Sequence, residues 1–215
     1  MVSNDVDALG PGESCAALLL TPKSRLIAPL RVLRRQDDDF LVSTEPELGD
    51  AVHATLLRAR FAAKCELEPE HHEAWEVLGG GEVLDRPPDG DELDDAEFER
   101  RRIEARIPRW GRELDDRVLP AEAGLDETHV SFTKGCYPGQ EPIARQRYRG
   151  KLNRRLRVFD IDGSVSPGDE IHRGEKVVGR ITSAAGGVAL GYLRTDVDET
   201  SELTSGHGRV RPRNP

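Results

Sequence analysis

The chain has 215 residues and a formal net charge of −9, with 33% charged and 36% hydrophobic residues. This length fits one sizeable domain or two small ones, and the composition is polar for a globular protein but not that of a disordered chain. The longest apolar run near the start, residues 15–20, is too short to span a bilayer and lacks the basic flank of a secretory signal. We therefore expect a cytoplasmic protein with no membrane association and, given the acidic charge, no stable nucleic-acid binding.

The first third of the chain has the pattern of an α+β region. Residues 14–20, 26–33 and 39–43 predict three neighbouring antiparallel strands. Residues 45–62 predict a helix, because apolar side chains recur there at spacings of three and four. Residues 64–67 predict a further strand. Strands followed by a helix and a strand are typical of the α+β class.

The middle and the end of the chain differ from the first third in their sequence pattern. Glycines at 79–81 and the Pro-Pro-Asp-Gly run at 87–90 frame a linker, and residues 92–107 predict a second helix. Short strands with glycine turns then predict a small antiparallel β-barrel. The expected organisation has four parts. Residues 1–86 form an N-terminal α+β region, and residues 87–150 contain the helix, the linker and the cysteine motif. Residues 151–200 form the barrel, and residues 201–215 form a flexible tail.

Basic residues are concentrated after the predicted linker. Between residues 142 and 158 there are seven basic residues and no acidic one. On an acidic protein, such a segment indicates either a site for a specific anionic ligand or a strand edge that charge protects from aggregation.

Residues 134–141 read Lys-Gly-Cys-Tyr-Pro-Gly-Gln-Glu and contain the main candidate for chemistry, Cys136. A thiol reacts as the thiolate, and nearby cations lower its pKa; Lys134, Arg145 and Arg147 could supply that field. A helix that starts near Glu141 would place the thiol before a positive helix end. From residue type alone, Cys136 is either a reactive thiol or a small buried hydrophobe.

The other cysteines and histidines carry less information. Cys15 and Cys65 lie in apolar or strand-like runs and are expected to be buried structural residues. Cys65 with His71 and His72 lacks a paired ligand at metal-binding spacing, so we expect no metal site. Three widely spaced cysteines predict reduced thiols rather than a disulfide framework. Neither a P-loop nor a Gly-x-Ser-x-Gly elbow is present in the sequence.

The octapeptide at 134–141 resembles the signature of the YgfZ family, a branch of the glycine-cleavage T-protein superfamily. Other segments resemble further family motifs; they are residues 3–6, 20–25, 102–108, 120–125, 179–183 and 189–192. The resemblance implies a T-protein-like folate-binding α+β fold, with antiparallel sheets, packed helices and a small C-terminal antiparallel β-barrel. It also implies a role in the assembly or repair of iron–sulfur enzymes, including tRNA-modifying ones.

The resemblance further implies site residues, a cofactor and partners. Cys136 would be the reactive residue beside a cleft for tetrahydrofolate or a folate derivative. The loop around it would be shaped by Lys134, Gly135, Tyr137, Gly139, Gln140 and Glu141. The folate would be held by Arg145, Arg147, Arg149 and Tyr137, since a guanidinium pairs well with carboxylates of a glutamate tail. The implied partners are iron–sulfur client enzymes and the cluster-assembly machinery.

Three departures from the family pattern leave alternatives open. The chain starts later than family members do, is short around residues 79–90, and has Pro138 where an aliphatic residue is usual. A non-catalytic client-binding module that has lost folate is therefore one alternative. The other is a tetrahydrofolate-dependent aminomethyltransferase-like enzyme. This enzyme is disfavoured because Ala28 and Pro29 stand where it carries an Asp-Asp pair. The thiol itself could act as nucleophile, transient cluster ligand or redox sensor.

Overall fold

Two packing units make up the protein, and each is assembled from two separate stretches of chain. The computed structural model describes residues 1–61, 63–77, 81–198 and 200–213, except for the side chain of residue 149. Unit 1 comprises Met1–Glu68 and Leu114–Leu152, and unit 2 comprises Pro69–Glu113 and Asn153–Pro215. The region 87–150, expected as one segment, therefore contributes to both units.

Regular structure consists of eleven strands and three α-helices within the described residues. The strands are β1 (Ser14–Leu20), β2 (Leu26–Gln36), β3 (Asp39–Ser43), β4 (Ala74–Val77), β5 (Gly81–Leu84), β6 (Arg154–Asp162), β7 (Glu170–Arg173), β8 (Lys176–Ala185), β9 (Val188–Arg194), β10 (Leu203–Ser205) and β11 (Gly208–Pro212). The helices are α1 (Gly49–Ala59), α2 (Asp95–Glu104) and α3 (Gln140–Arg149).

Unit 1 is built on an antiparallel sheet in the order β1-β2-β3, which confirms the three strands expected from the sequence. The apolar run at the end of β1 is buried throughout, whereas β2 alternates between buried and half-buried residues. The helix expected over 45–62 is shorter, because Pro46 starts a separate 3₁₀ turn before α1. Residue 62 lies outside the described residues. The strand expected at 64–67 is wrong: this charged, largely exposed segment has no regular structure.

A short segment before β1 joins distant parts of unit 1. The Ser3 amide donates to the Leu18 carbonyl, and the Ser131 amide donates to the Ser3 carbonyl. The Ser3 hydroxyl donates to the His129 carbonyl at 2.6 Å and accepts from the Leu18 amide at 2.7 Å. Burial, and to a lesser degree the charge of Arg31, lowers the pKa of His129 to about 4. This histidine is therefore neutral at physiological pH.

Unit 2 contains a closed antiparallel barrel in the order β10-β11-β6-β9-β8-β7, which confirms the predicted barrel. Its interior is an apolar cluster that includes Phe159, Ile171, Ile181 and Ala189, all fully buried. β4 and β5 form a separate hairpin in this unit.

Two expectations for unit 2 need correction. The tail expected to be flexible contributes β10 and β11 to the barrel, and Leu203 and Val210 are buried in its core. One or two buried apolar residues in each of these short strands are sufficient there, because the ring of neighbouring strands supplies the backbone hydrogen-bond partners. The glycine-rich linker is partly wrong as well, since Gly81 begins β5; residues 79 and 80 lie outside the described residues.

A buried charged network links α2 to the barrel within unit 2. Asp94 caps α2 by accepting a hydrogen bond from the Glu97 amide. The fully buried Arg102 guanidinium donates to the Glu113 carboxylate at 3.1 Å and to the Ser183 hydroxyl at 2.8 Å. Ser183 in turn donates to Glu113 at 2.6 Å. Every charge in this network has a partner of opposite sign, which is the condition under which buried charges are tolerated.

We predict that Arg102→Met destabilises the protein by about 3–5 kcal/mol, because Glu113 would stay buried without a countercharge. The matched control is Arg101→Met, whose side chain is half exposed and pairs with Glu97 on the surface; its cost should be below about 1 kcal/mol. Urea unfolding followed by circular dichroism measures both. Equal costs for the two variants would contradict the role assigned to the network.

Candidate functional site

Cys136 lies in a loop of unit 1 that leads directly into α3. The thiol is free and exposed, and the residues from 135 to 137 have no regular secondary structure. The helix expected near Glu141 begins one residue earlier, at Gln140. The structure therefore places Cys136 where the motif predicted, on the loop before a helix start.

Lys134 anchors the loop on its N-terminal side. Its ammonium donates to the carbonyl oxygens of Val2 at 3.0 Å and Asn4 at 2.7 Å. It also lies 5.9 Å from the ring centroid of Tyr137, within cation–π range. The ammonium is therefore held on backbone carbonyls of the N-terminal segment, which ties the loop to that segment.

Tyr137 is the buried member of the loop. Burial raises the pKa of its hydroxyl, and that hydroxyl has no hydrogen-bond partner among the described residues. The Tyr137 carbonyl accepts from the Gln140 amide at 3.2 Å, which starts the turn into α3. The ring therefore fixes the loop by packing, and its polar end is left unsatisfied.

Gly139 anchors the loop on its C-terminal side. Its φ of +84° is costly for residues with a side chain, and a Cβ here would lie 2.7 Å from the Thr21 carbonyl oxygen. The Gly139 carbonyl accepts from the hydroxyl of buried Ser24 at 2.6 Å. The turn that holds Ser24 is itself closed, because the Arg25 amide donates to the Thr21 hydroxyl. The residue is thus a glycine for reasons of both backbone angle and space.

The remaining loop positions contribute less. A Cβ on Gly135 would meet nothing within 4 Å, and its φ is not positive, so this glycine is not required by local geometry. Gln140 is half-buried, and Glu141 is exposed in the first turn of α3. An acidic side chain is favourable there because the helix start carries partial positive charge.

The structure separates Arg145 and Arg147, two of the three arginines predicted to hold folate. Arg145 lines a cavity, whereas the Arg147 guanidinium lies 4.0 Å from the ring centroid of Phe132. Residues two apart in a helix point to different sides, which separates Arg145 from Arg147. The side chain of Arg149 lies outside the described residues.

The cavity beside Arg145 belongs entirely to unit 1 and has a volume of about 200 Å³. Its walls come from the turn after β1, from the 3₁₀ turn Pro120–Glu122 with Asp126, and from the first turns of α3. Lys23 and Arg25 line it too, and sequence reasoning missed both. The available signal was the resemblance of residues 20–25 to a family motif, whereas their proximity to α3 follows from the fold alone.

The other cysteines differ from expectation in one case. Cys15 is half-buried in β1, and burial raises the pKa of its thiol. Cys65 is exposed, so its expected structural role is wrong: the segment around it is largely exposed and has no regular structure. Across the described parts of the chain, no group of three or more His, Cys, Asp or Glu side chains could hold a metal ion. Nor does any helix there have the length and apolarity to cross a membrane.

Comparison with known proteins identifies a domain family that matches the C-terminal part of the chain and several related sequences. Residues 153–215 match the family model "CAF17, C-terminal beta-barrel domain". An uncharacterized protein of Haemophilus influenzae is 36% identical over 184 residues, covering 74% of this chain and 65% of that protein. The tRNA-modifying protein YgfZ of Aliivibrio fischeri is 32% identical over 122 residues, covering 51% of this chain and 38% of that protein.

A human protein and a solved structure extend the comparison. The human mitochondrial iron-sulfur cluster assembly factor IBA57 is 31% identical over 159 residues, covering 69% of this chain and 45% of that protein. The chain therefore spans between 38% and 65% of the length of these three relatives. The crystal structure of the glycine cleavage aminomethyltransferase T of Bartonella henselae matches with a TM-score of 0.76 at 16% identity, over 98% of this chain and 77% of that one. That likeness establishes the fold.

We predict that Gly139→Ala destabilises the protein by about 2 kcal/mol or more, because it adds left-handed strain and a clash with the Thr21 carbonyl. Gly135→Ala is the matched control in the same loop and should change stability by less than about 0.5 kcal/mol. Thermal and urea unfolding of both variants measure the difference. If Gly139→Ala were as stable as Gly135→Ala, the close approach between the loop and the turn would be refuted.

Proposed function

We propose that this chain, which belongs to the YgfZ family and has the T-protein fold, supports the assembly or repair of iron–sulfur enzymes, including tRNA-modifying ones. Two relatives carry the corresponding names, a tRNA-modifying protein and an iron-sulfur cluster assembly factor. Because the chain spans less than two thirds of each, the activity is a proposal for this protein. The proposed partners are iron–sulfur client enzymes and the cluster-assembly machinery.

The observation that carries the proposal is an exposed thiol in a loop held on both sides. Cys136 lies between the Lys134 anchor and the Gly139 anchor. Attack on an electrophile, transient ligation of iron and reversible oxidation all require a reachable sulfur, and exposure provides it. A loop anchored at both ends presents that sulfur in a defined position to a client. Free thiols throughout the chain also fit the reducing cytoplasm that we propose as its location.

The proposed cofactor is tetrahydrofolate or a derivative, and the described residues fit it in part. Tetrahydrofolate supplies one-carbon chemistry when bound. Arg145 beside the unit 1 cavity suits a carboxylate of the glutamate tail. Arg147 is already stacked on Phe132, and Tyr137 is buried, so these two are less suited to a direct contact. The unsatisfied Tyr137 hydroxyl is the orphaned polar group that a polar ligand atom could satisfy if the loop opened.

Aminomethyl transfer to folate has weaker support. Ala28 is fully buried in β2 and Pro29 follows it in the same strand. Neither side chain can accept a proton or a hydrogen bond, so the positions expected to hold the acidic pair of that enzyme have no catalytic group. The maturation role does not need one there.

We predict that Cys136→Ala folds normally but fails to support iron–sulfur enzyme activity in cells that lack the native protein, because the reacting sulfur is removed. Cys65→Ala is the matched control, since Cys65 is also exposed but lies outside the motif; it should complement fully. The readout is the activity of an iron–sulfur enzyme in extracts, with protein levels checked by immunoblot. Full complementation by Cys136→Ala would rule out the proposed role of the thiol.

We also predict that tetrahydrofolate binds the purified protein with saturable heat in a calorimetric titration, and that Cys136→Ala binds it equally well. The reason for the second expectation is that Arg145 of α3, rather than the thiol, would hold the ligand. No heat at millimolar tetrahydrofolate would argue against folate binding and favour a client-binding module.

A further inference from the structure

The cavity in unit 1 is large enough for a specific small molecule. Its volume of about 200 Å³ exceeds that of an engineered cavity of about 150 Å³ that binds benzene. It is smaller than the roughly 300–1,000 Å³ of pockets for drug-sized ligands. The cavity therefore fits a molecule with one ring, or one ring of a larger ligand.

Apolar side chains form much of its wall. Leu119, Pro120 and Ala121 contribute on one side, and Pro142 and Ile143 of α3 contribute on the other. Pro120 and Ile143 are buried, so this part of the wall belongs to the packed interior of unit 1. Such a surface favours the body of an aromatic or aliphatic ring over a fully hydrated ion.

Three cations also line the cavity, against one carboxylate, Asp126. Lys23 and Arg145 have no ion-pair partner within residues 1–61, 63–77, 81–198 and 200–213. Arg25 donates to the Arg117 carbonyl at 2.6 Å. A carbonyl is a neutral acceptor, so this bond does not neutralise the charge of the guanidinium. An apolar wall beside several uncompensated cations is complementary to an organic anion.

The elements that carry these cations are fixed before any ligand arrives. Ser24 ties the turn after β1 to the start of α3 through the Gly139 carbonyl, and Arg25 ties the same turn to the segment at Arg117. A site whose walls are held in place loses less conformational entropy on binding. Lys23 and Arg145 are therefore presented from a rigid frame.

We propose that this cavity is a binding site for a one-ring organic carboxylate. The ring would lie against Leu119 and Ile143, and the carboxylate would be bound by Lys23, Arg25 and Arg145. Such a group occurs as a free aromatic acid and as the aminobenzoyl-glutamate end of a folate. In the second case the inference rests on the proposed folate binding and assigns that end of the ligand to this cavity.

The test is a chemical-shift titration of the ¹⁵N-labelled full chain with 4-aminobenzoate, with aminobenzoyl-glutamate and with tetrahydrofolate. The neutral 4-aminobenzamide is the control ligand. We expect saturable shifts of the backbone amides at residues 23–25, 119, 121 and 143–146 with the carboxylates, and much weaker binding of 4-aminobenzamide. Equal binding of 4-aminobenzoate and 4-aminobenzamide, or no shifts at these amides with any carboxylate, would overturn the proposal.

Variants of the cavity sharpen this test. Lys23→Gln and Arg145→Gln should each weaken 4-aminobenzoate binding by about tenfold, which corresponds to about 1.4 kcal/mol. Arg58→Gln is the matched control, because Arg58 is exposed on α1 and does not line the cavity; its affinity should equal that of the unsubstituted protein. All three positions are at the surface, and the same spectra report whether each variant is folded. Unchanged affinity in both cavity variants would refute the assigned contacts.

The three ligands also separate this inference from the folate proposal. Shifts of the same amides by tetrahydrofolate and aminobenzoyl-glutamate would assign the cavity to a folate. Shifts by 4-aminobenzoate with no binding of tetrahydrofolate would keep the carboxylate site and remove the folate. Binding of tetrahydrofolate that leaves these amides unshifted would separate the folate site from this cavity, and the cavity site itself would be refuted if 4-aminobenzoate left them unshifted too.

Discussion

The close approach of Gly139 to the turn after β1 is the contact on which the candidate site depends. The missing side chain lets the Gly139 backbone lie against Thr21, and the Ser24 hydroxyl then bonds to the Gly139 carbonyl. This one contact has two consequences. It ends the cysteine loop at a defined point, which positions Cys136 just before α3. It also brings Lys23 of the turn to the same cavity as Arg145 of the helix.

Much of unit 1 follows from local patterns, and its site only in part. The three strands and the helix after the motif agree with residue periodicity and turn chemistry. The exposure of Cys136 was not predictable in this way, because residue type alone left a buried thiol as an alternative. Arg145 and Arg147 were expected to lie together because they are close in sequence. Helix geometry instead sends the two side chains in different directions. The contribution of Lys23 could not be predicted, since only tertiary packing brings it to α3.

In unit 2 the sequence pattern was least informative where the barrel closes. β10 has a single buried leucine, and in β11 the buried Val210 and Pro212 alternate with arginines. Segments this short, one of them with a proline, do not indicate a strand by themselves. These strands are ordered by backbone pairing, β10 with β7 and β11 with β6. The Arg102 segment shows the opposite case. Its family motif was recognisable in the sequence, and the structure explains the arginine by a buried network with Glu113 and Ser183, so this motif serves stability.

The anchoring of Lys134 to the start of the chain has a consequence for the timing of folding. Lys134 and the Asn4 carbonyl that it binds are 130 residues apart in sequence. Synthesis at about 5–20 residues per second delivers the lysine on the order of ten seconds after its partner. During that interval the segment before β1 lacks its partners at His129, Ser131 and Lys134, and residues 69–113, which belong to unit 2, emerge in between. Loop closure over such a distance is slow, so the cysteine loop should be among the last parts of unit 1 to become ordered on the ribosome.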